Sequence, residues 1–171
     1  MHKTAVVFAM ALAFITSSSR ASDAALQNNK ETVRRFFDVA WTKGDFTGME
    51  DYLGPQLLLH FRGEQYVVDL AGTQALISSW RSAFPDFRFV VHDLIGERDR
   101  VAIRLTYAGT HTGADWFGIA PTGRSMNVTE MMFFRFEGGK IVEAWEDYDE
   151  YGMREQLRAL PAGPASEARV E

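Results

Sequence analysis

The apolar residues in the first half of the chain recur at the spacing of an α-helix. Residues 29–31 open a predicted amphipathic helix whose apolar positions follow the steps i, i+3, i+4, i+7 and i+8, namely Val33, Phe36, Phe37, Ala40 and Trp41. Gly44 is expected to end this helix, and residues 45–52 predict a short second helix before the break at 54–55. Residues 57–61 predict a short strand, and residues 69–84 predict a further helix that ends at Pro85.

After Pro85 the apolar period changes from about 3.6 to about 2, which is the period of a half-buried strand. Four strands are predicted, over residues 86–96, 100–109, 127–137 and 140–148, and we expect them to form one antiparallel meander. The glycine-rich segment 108–124 is too long for a hairpin turn, and loops of this length are often functional. A closing helix carries Met153, Leu157 and Leu160 on its apolar face.

The order of these elements predicts the fold class. Helices followed by a long meander indicate α+β, here a cone-shaped α+β barrel with the N-terminal helices packed on a curved antiparallel sheet. The wide end of such a cone would form a pocket for a small apolar ligand, lined by helix aromatics and strand residues. Phe37, Trp41, Trp80 and Trp116 could stack on a flat ligand there, or could belong to the core.

The last predicted strand places an acid on an apolar face. If residues 141–148 alternate across a strand, Glu146 shares its face with Val142, Ala144 and Tyr148. A carboxyl group held against apolar surface has a raised pKa, which suits an acid or base near neutral pH. The alternative is that EDYDE, residues 146–150, is a solvated strand end that leads into a helix.

Composition indicates one exported domain. The 171 residues are 46% hydrophobic, which is ordinary for a single globular domain. Residues 1–21 combine a short basic start, an apolar run and small residues before Ala21, which predicts a secretory signal peptide and a periplasmic or secreted protein. Residues 22–160 would then form the domain, with no membrane span after signal removal, and residues 161–171 a disordered tail.

Charge and residue types exclude several classes of function. Removing residues 1–21 would change the net charge from −5 to −7, which disfavours nucleic acid as a partner. The chain has no cysteine, and its histidines lack the spacing of a helical zinc pair, so no metal site is expected. Phosphate-loop, dinucleotide and serine-elbow motifs are absent from the sequence, and no cofactor is expected.

Three motifs carry a resemblance to a known family: GTHTG at residues 109–113, GIAPTGR at 118–124, and the hairpin from Gly138 to Gly152 with its Trp145-Glu146 pair. Over about residues 29–160 the chain resembles the SnoaL-like polyketide cyclase or ester cyclase family, within the nuclear-transport-factor-two-like superfamily. The best-known members of that family close a ring by an intramolecular aldol condensation without cofactor or metal. The resemblance therefore implies a cofactor-independent cyclase or isomerase acting on a small carbonyl or polyketide-like compound.

The resemblance also assigns roles to single positions. It implies that the acid/base carboxylate is Glu146, and it places Glu130, Met132 and Leu59 where those cyclases carry a Gln, a pocket His and a substrate-contacting Asn. His60 lies beside Leu59 in the sequence and is a further candidate for the site. Glu130 and Glu146 on adjacent strands would be like charges, so that one could remain protonated near neutral pH. Alternatively, Glu130 is a rim residue neutralised by an arginine such as Arg124 or Arg135.

Two further candidates each have a functional and a structural interpretation. His111, in the long loop, could hydrogen-bond a ligand or hold the loop. Asp149 could be catalytic or substrate-binding, but an N-cap for the last helix is favoured. An exported protein that binds a ligand without chemistry is the alternative function. Trp145, opposite the pocket face, predicts a homodimer through the outer face of the sheet.

Overall fold

The computed structural model describes residues 22–158, so the predicted signal peptide and C-terminal tail lie outside the described residues. Helix α1 covers residues 22–36 and continues as a π-helical segment, Phe37–Lys43. Helix α2 is Leu70–Ala83, helix α3 is Glu150–Arg158, and Met49–Asp51 forms a single 3₁₀ turn. Asp69 caps α2 by accepting a hydrogen bond from the backbone N–H of Gly72.

The helices pack on a mixed sheet of six strands: β1 Leu53–Phe61, β2 Glu64–Asp69, β3 Arg88–Glu97, β4 Arg100–Thr110, β5 Ser125–Glu137 and β6 Lys140–Tyr148. Their spatial order is β2-β1-β6-β5-β4-β3. The meander from β3 to β6 is antiparallel as predicted. Strand β1 pairs with β6 in the parallel direction, so the whole sheet is mixed and not purely antiparallel. The α+β fold class is confirmed.

Three boundaries near the N-terminus were predicted wrongly. Helix α1 does not open at residues 29–31, because the described chain is helical from residue 22. The predicted second helix over 45–52 is reduced to one 3₁₀ turn, since the Asp45 carboxylate accepts from the Thr47 N–H and Gly48 has a φ of 73°. The expected break at 54–55 lies inside β1, where the pairing with β6 is irregular between Leu53 and Leu58, and Pro55 is tolerated there.

Strand β2 had no counterpart in the sequence prediction. It pairs antiparallel with β1 across the turn Arg62-Gly63, in which Arg62 has a φ of 56° and Gly63 a φ of 78°. Glycine adopts this left-handed conformation at little cost, which fits a tight two-residue turn. The hairpin extends the sheet beyond β6 and supplies one wall of the cavity described below.

The alternation predicted for the meander holds except at two irregularities, one in β3 between Val91 and Asp93 and one between β5 and β6. On β4 the side chains of Val101, Ile103, Leu105 and Tyr107 are buried. On β5 the buried set includes Val128, Glu130, Met132 and Phe134. On β6 the pairing with β5 is irregular at Arg135 and Phe136, so Ile141, and not Val142, is buried with Ala144.

Candidate functional site

A cavity of about 460 Å³ lies between the helices and the concave face of the sheet. Its walls come from the π-helical segment, α2, the β1–β2 hairpin, the inner faces of β3 to β6 and Phe117 of the loop between β4 and β5. Aromatic side chains form most of the wall, and the polar groups are few, which is the composition of small-molecule sites. The lining residues are Phe37, Trp41, Leu59, Phe61, Arg62, Tyr66, Val68, Gly72, Leu76, Trp80, Phe87, Phe89, Tyr107, Phe117, Glu130, Met132, Glu146 and Tyr148.

The π-helical segment positions two of the aromatic walls. Phe37 and Trp41 stack with their ring centroids 6.5 Å apart, and Phe37 also meets Phe89 edge-on at 4.8 Å. The guanidinium of Arg81, on α2, donates to the Trp41 carbonyl at 3.0 Å and thereby ties the widened turn to the neighbouring helix. Such π-helical insertions occur frequently at functional sites.

Two carboxyl groups meet inside this cavity. On the facing strands Met132 pairs with Glu146, and Glu130 pairs with Tyr148, so Glu130 and Glu146 are diagonal neighbours on one face. The Glu130 residue is only 4% exposed. Neither carboxyl has an arginine or lysine partner among the described residues. Arg135 forms its ion pairs with Glu137 and Glu143. The interpretation of Glu130 as a rim residue neutralised by an arginine such as Arg124 or Arg135 is therefore wrong.

Burial and mutual proximity shift the pKa values of the two acids by different amounts. Burial raises the pKa of Glu130 well above its ordinary value, and the nearby charge of Glu146 raises this pKa further. Burial also raises the pKa of Glu146, to about 7, while a hydrogen bond from Glu130 acts in the opposite direction. Above about pH 7 the pair therefore keeps one proton, on Glu130, which donates to the ionised Glu146 carboxylate.

Tyrosine hydroxyls are the other polar groups near the carboxyl pair. Burial raises the pKa of Tyr148 to about 12, and the charge of Glu146 adds to that effect. Tyr107 is buried, its hydroxyl donates to the sulfur of Met153 at 3.8 Å, and its pKa is also raised, chiefly by burial. Both hydroxyls therefore stay protonated at any ordinary pH. The sequence analysis placed Tyr148 on the same face as Glu146 and named neither tyrosine as a site residue.

Residues 31–157 match the family of SnoaL-like polyketide cyclases. The chain belongs to this family. No curated protein is significantly similar to the chain. Among solved structures, a proposed polyketide cyclase from Acidithiobacillus ferrooxidans is 27% identical with a TM-score of 0.69, over 77% of this chain and 94% of that one.

Two other similar structures differ in the activity proposed for them. AclR, a proposed hydroxylase from Streptomyces galilaeus, is 27% identical with a TM-score of 0.69, and the match covers 81% of this chain and 86% of that one. IdmH, a proposed polyketide cyclase from Streptomyces antibioticus, is 27% identical with a TM-score of 0.64, over 75% of this chain and 97% of that one. The shared fold thus does not by itself fix the reaction.

In this SnoaL-like chain most of the predicted site residues do meet in one place. The cavity brings together Glu130 and Glu146 with Leu59, Met132, Phe37, Trp41 and Trp80. Trp116 lies one layer further out, with its ring 3.9 Å from that of Trp80, and does not line the cavity. Its burial against Trp80 fits the core interpretation of this aromatic residue.

Three predicted polar contacts lie elsewhere. His60 points to the outer face of the sheet, where its Nε2 is 2.7 Å from Glu143 and its ring stacks on Trp145. This is because His60 follows the inward-facing Leu59 on a strand. His111 is fully buried and its Nε2 meets the Ala114 carbonyl at 2.9 Å, so it holds the loop. Asp149 caps α3 by accepting from the Gly152 N–H at 2.7 Å, as favoured from the sequence.

The sequence analysis missed the residues of the hairpin and loop that line the cavity opening, chiefly Phe61, Arg62, Tyr66 and Phe117. The available signal was the Arg62-Gly63 pair between two short apolar segments, which is typical of a hairpin turn. Within residues 22–158, no group of three or more His, Asp or Glu side chains is arranged to hold a metal ion. No helix in the same range is long and apolar enough to cross a membrane.

Proposed function

We propose that this protein is a cofactor-independent acid/base catalyst of the cyclase or isomerase type, acting on a small, largely apolar carbonyl compound bound in the cavity. The observation that carries the proposal is the carboxyl pair in an aromatic cavity, in which Glu130 is buried and Glu146 beside it is half-buried. Withdrawing two neighbouring acids from water without a cation partner costs stability, which favours a chemical role for the pair over a structural one. The polyketide cyclase activity proposed for two of the similar structures agrees with it.

The proposed reaction begins with removal of a proton next to a carbonyl. The ionised Glu146 carboxylate takes the proton, the electrons of the C–H bond move into the carbonyl group, and an enolate forms. Glu130, which carries a proton, donates to Glu146 and lowers the cost of its negative charge in the apolar wall. In an isomerase Glu146 returns the proton to another carbon. In a cyclase the enolate carbon attacks a second carbonyl of the same molecule, and the alkoxide that forms takes the proton back from Glu146.

Exclusion of water supports this chemistry. Aromatic walls hold the ligand in a low-dielectric space, where a carboxylate is a stronger base than in water. In the same space, a hydrogen bond to a developing oxyanion stabilises the transition state more than it would in water. Tyr148 lines the same cavity as the carboxyl pair, and its hydroxyl stays protonated. The Tyr107 hydroxyl, by contrast, already donates to Met153. The chain thus has a base and a neutral donor in one cavity, which is the set that enolate formation requires.

Solvent deuterium exchange tests the proposal without knowledge of the natural substrate. The probe is α-tetralone, a flat bicyclic ketone, incubated in D₂O with the protein while deuterium at its α-carbon is followed by NMR. Glu146→Gln keeps the shape of the side chain and removes the base, so the exchange rate should fall by about 100-fold or more. Asp149→Asn is the matched control, because Asn caps a helix about as well as Asp and should leave the rate within about twofold.

A second variant separates the two acids. Glu130→Gln keeps a hydrogen-bond donor toward Glu146, so its exchange rate should fall less than that of Glu146→Gln. Equal exchange by the parent protein and Glu146→Gln, with both shown to be folded by circular dichroism, would contradict the catalytic proposal. If α-tetralone bound in the cavity of both proteins without exchange, the result would favour the alternative of a binding protein.

A further inference from the structure

Two arginine–aromatic pairs stand at the opening of the cavity. The guanidinium of Arg62 lies over the Phe61 ring, 4.9 Å from its centroid, and that of Arg154 lies over Phe117 at 5.5 Å. Both rings and Arg62 itself line the cavity, while the Arg62 side chain is 57% exposed and Phe117 is 62% exposed. Because these residues line the cavity and are also largely exposed, the two pairs lie where the cavity meets solvent.

The two arginines share one protein carboxylate. Glu150, at the start of α3, pairs with Arg62 and also accepts from the Nε of Arg154 at 2.7 Å. A guanidinium has five N–H donors, and one shared carboxylate cannot occupy both arginines. The opening therefore keeps cationic donors that a ligand can reach from within the cavity.

The other acids near the opening do not pair with either arginine among the described residues. Glu64, in the β1–β2 hairpin, accepts from the hydroxyl of Tyr66 at 2.6 Å. Asp149 caps α3, and Asp147 is exposed, on the strand position that follows the inward-facing Glu146.

The arginine is close to the carboxyl pair in the fold. Phe61, the residue before Arg62, pairs with Glu146 in the β1–β6 register, and its ring stacks on that of Tyr148 at 5.5 Å. The positive charge of Arg62 also acts on Tyr148, where it lowers the pKa that burial raises. A cation thus lies one aromatic layer away from the proposed base, toward solvent.

We propose that Arg62 is an anion-binding residue of the ligand site, and that the ligand is a carbonyl compound with a flat apolar body and a carboxylate at the end that faces the opening. The inference rests on the proposed function, since it takes the ligand to occupy the cavity with its carbonyl group at Glu146. Glu130 and Glu146 make one part of the cavity acidic and aromatic side chains form most of the remaining wall, so the part lined by Arg62 is the place where a ligand carboxylate is stabilised.

A matched pair of probes, 2-naphthoate and its neutral isostere 2-naphthamide, tests this binding residue by isothermal titration calorimetry. The titrations are made at about pH 8, where Glu146 is ionised and repels a carboxylate from the inner end. The parent protein should bind the naphthoate at least about 10-fold more tightly than the amide, and Arg62→Gln should lose most of that preference. Affinity for the amide should stay within about twofold.

Arg98→Gln is the matched control variant. Arg98 also lies in a β-hairpin turn, with the same φ of 56° as Arg62, and does not line the cavity. The control removes the same charge from the same backbone conformation, so it should keep the preference for the naphthoate. Equal binding of the two probes by the parent protein, binding of neither probe, or an equal loss of preference in both variants would overturn the inference.

The experiments distinguish this inference from the proposed function. Exchange into α-tetralone, which has no carboxylate, reports on Glu146 whether or not an anionic group is bound at the opening. If exchange depends on Glu146 but the naphthoate shows no preference, the anion-binding inference falls and the catalytic proposal stands. If the preference depends on Arg62 but Glu146→Gln does not change exchange, the catalytic proposal falls and the anion-binding residue stands.

Discussion

The carboxyl group of Glu146 is held in surroundings that oppose its ionisation. It lines an aromatic cavity, and a buried neutral Glu130 is its hydrogen-bond partner. By contrast, Glu143 on the same strand faces outward, where hydrogen bonds from Arg135 and His60 lower its pKa. The pKa values of two glutamates three residues apart are thus shifted in opposite directions, because the strand presents their side chains to different faces of the sheet.

At this scale we predict that Glu146 makes stability depend on pH. Its pKa is raised from 4.5 to about 7 in the folded protein. Between about pH 4.5 and about pH 7 the folded state therefore keeps a proton that the unfolded chain has lost, and the free energy of unfolding falls as the pH rises. Glu146→Gln should unfold at a higher temperature than the parent at about pH 8, with a smaller difference at about pH 5.

Thermal unfolding followed by circular dichroism at the two pH values measures this effect. Comparison with the variant cancels the contribution of acids with lowered pKa values, such as Asp86, because those acids are present in both proteins. A glutamine variant that is less stable than the parent at the higher pH would show that Glu146 stabilises the fold as a charged group.

At the scale of elements, the long loop between β4 and β5 is fixed at its base by backbone contacts with α2. The N–H groups of Gly113 and Ala114 donate to the carbonyls of Ala83 and Ser82 at 3.1 and 2.8 Å. His111 is buried beneath this contact and holds the turn with its side chain. The GTHTG motif is therefore a packing motif, and it presents Phe117 at the cavity opening.

We predict that Gly113→Ala destabilises this loop contact. A Cβ atom at Gly113 would lie 1.8 Å from the Ser82 carbonyl oxygen, so the loop would have to move away from the helix. The expected loss is about 1–3 kcal/mol in the free energy of unfolding, measured by urea denaturation. Gly118→Ala is the control, since no atom lies within 4 Å of its Cβ and only the φ of 76° opposes alanine, at a cost of about 1 kcal/mol. A larger loss at Gly118 would contradict this account.

At the scale of the whole molecule, the outer face of the sheet exposes apolar side chains. Met131 and Phe133 of β5 are 59% and 53% exposed, and Trp145 of β6 lies beside them between His60 and Arg100. Exposed apolar groups that share a face indicate a protein contact, and a second copy of the chain would offer the same surface in return.

We predict a homodimer through this outer face. Phe133→Lys places a charge at its centre and should convert the protein to a monomer at micromolar concentration, as measured by light scattering coupled to gel filtration. Tyr151→Lys is the control, because Tyr151 is 76% exposed but lies on α3. A parent protein that is strictly monomeric, or equal dissociation of the two variants, would contradict the prediction.

The sequence by itself determined the elements whose pattern depends on local contacts. The alternation of β4 and β5, the helix over Leu70–Ala83 and the inward direction of Glu146 follow from periods of two and about 3.6 residues. The same alternation placed Glu146 on the apolar face of its strand. The resemblance to SnoaL-like cyclases placed Glu130 in the same site and gave Glu146 its catalytic role.

Only the tertiary structure decided which of the inward residues share a cavity and what lies at its opening. The parallel pairing of β1 with β6 joins segments about 80 residues apart, and it brings Phe61 and Arg62 to Glu146. Such pairing depends on long-range hydrogen bonds and burial, which leave no periodic signal in either segment. His60 is a different case, because one residue along a strand moves a side chain to the opposite face of the sheet, so the alternation alone argues against His60 in the site of Leu59.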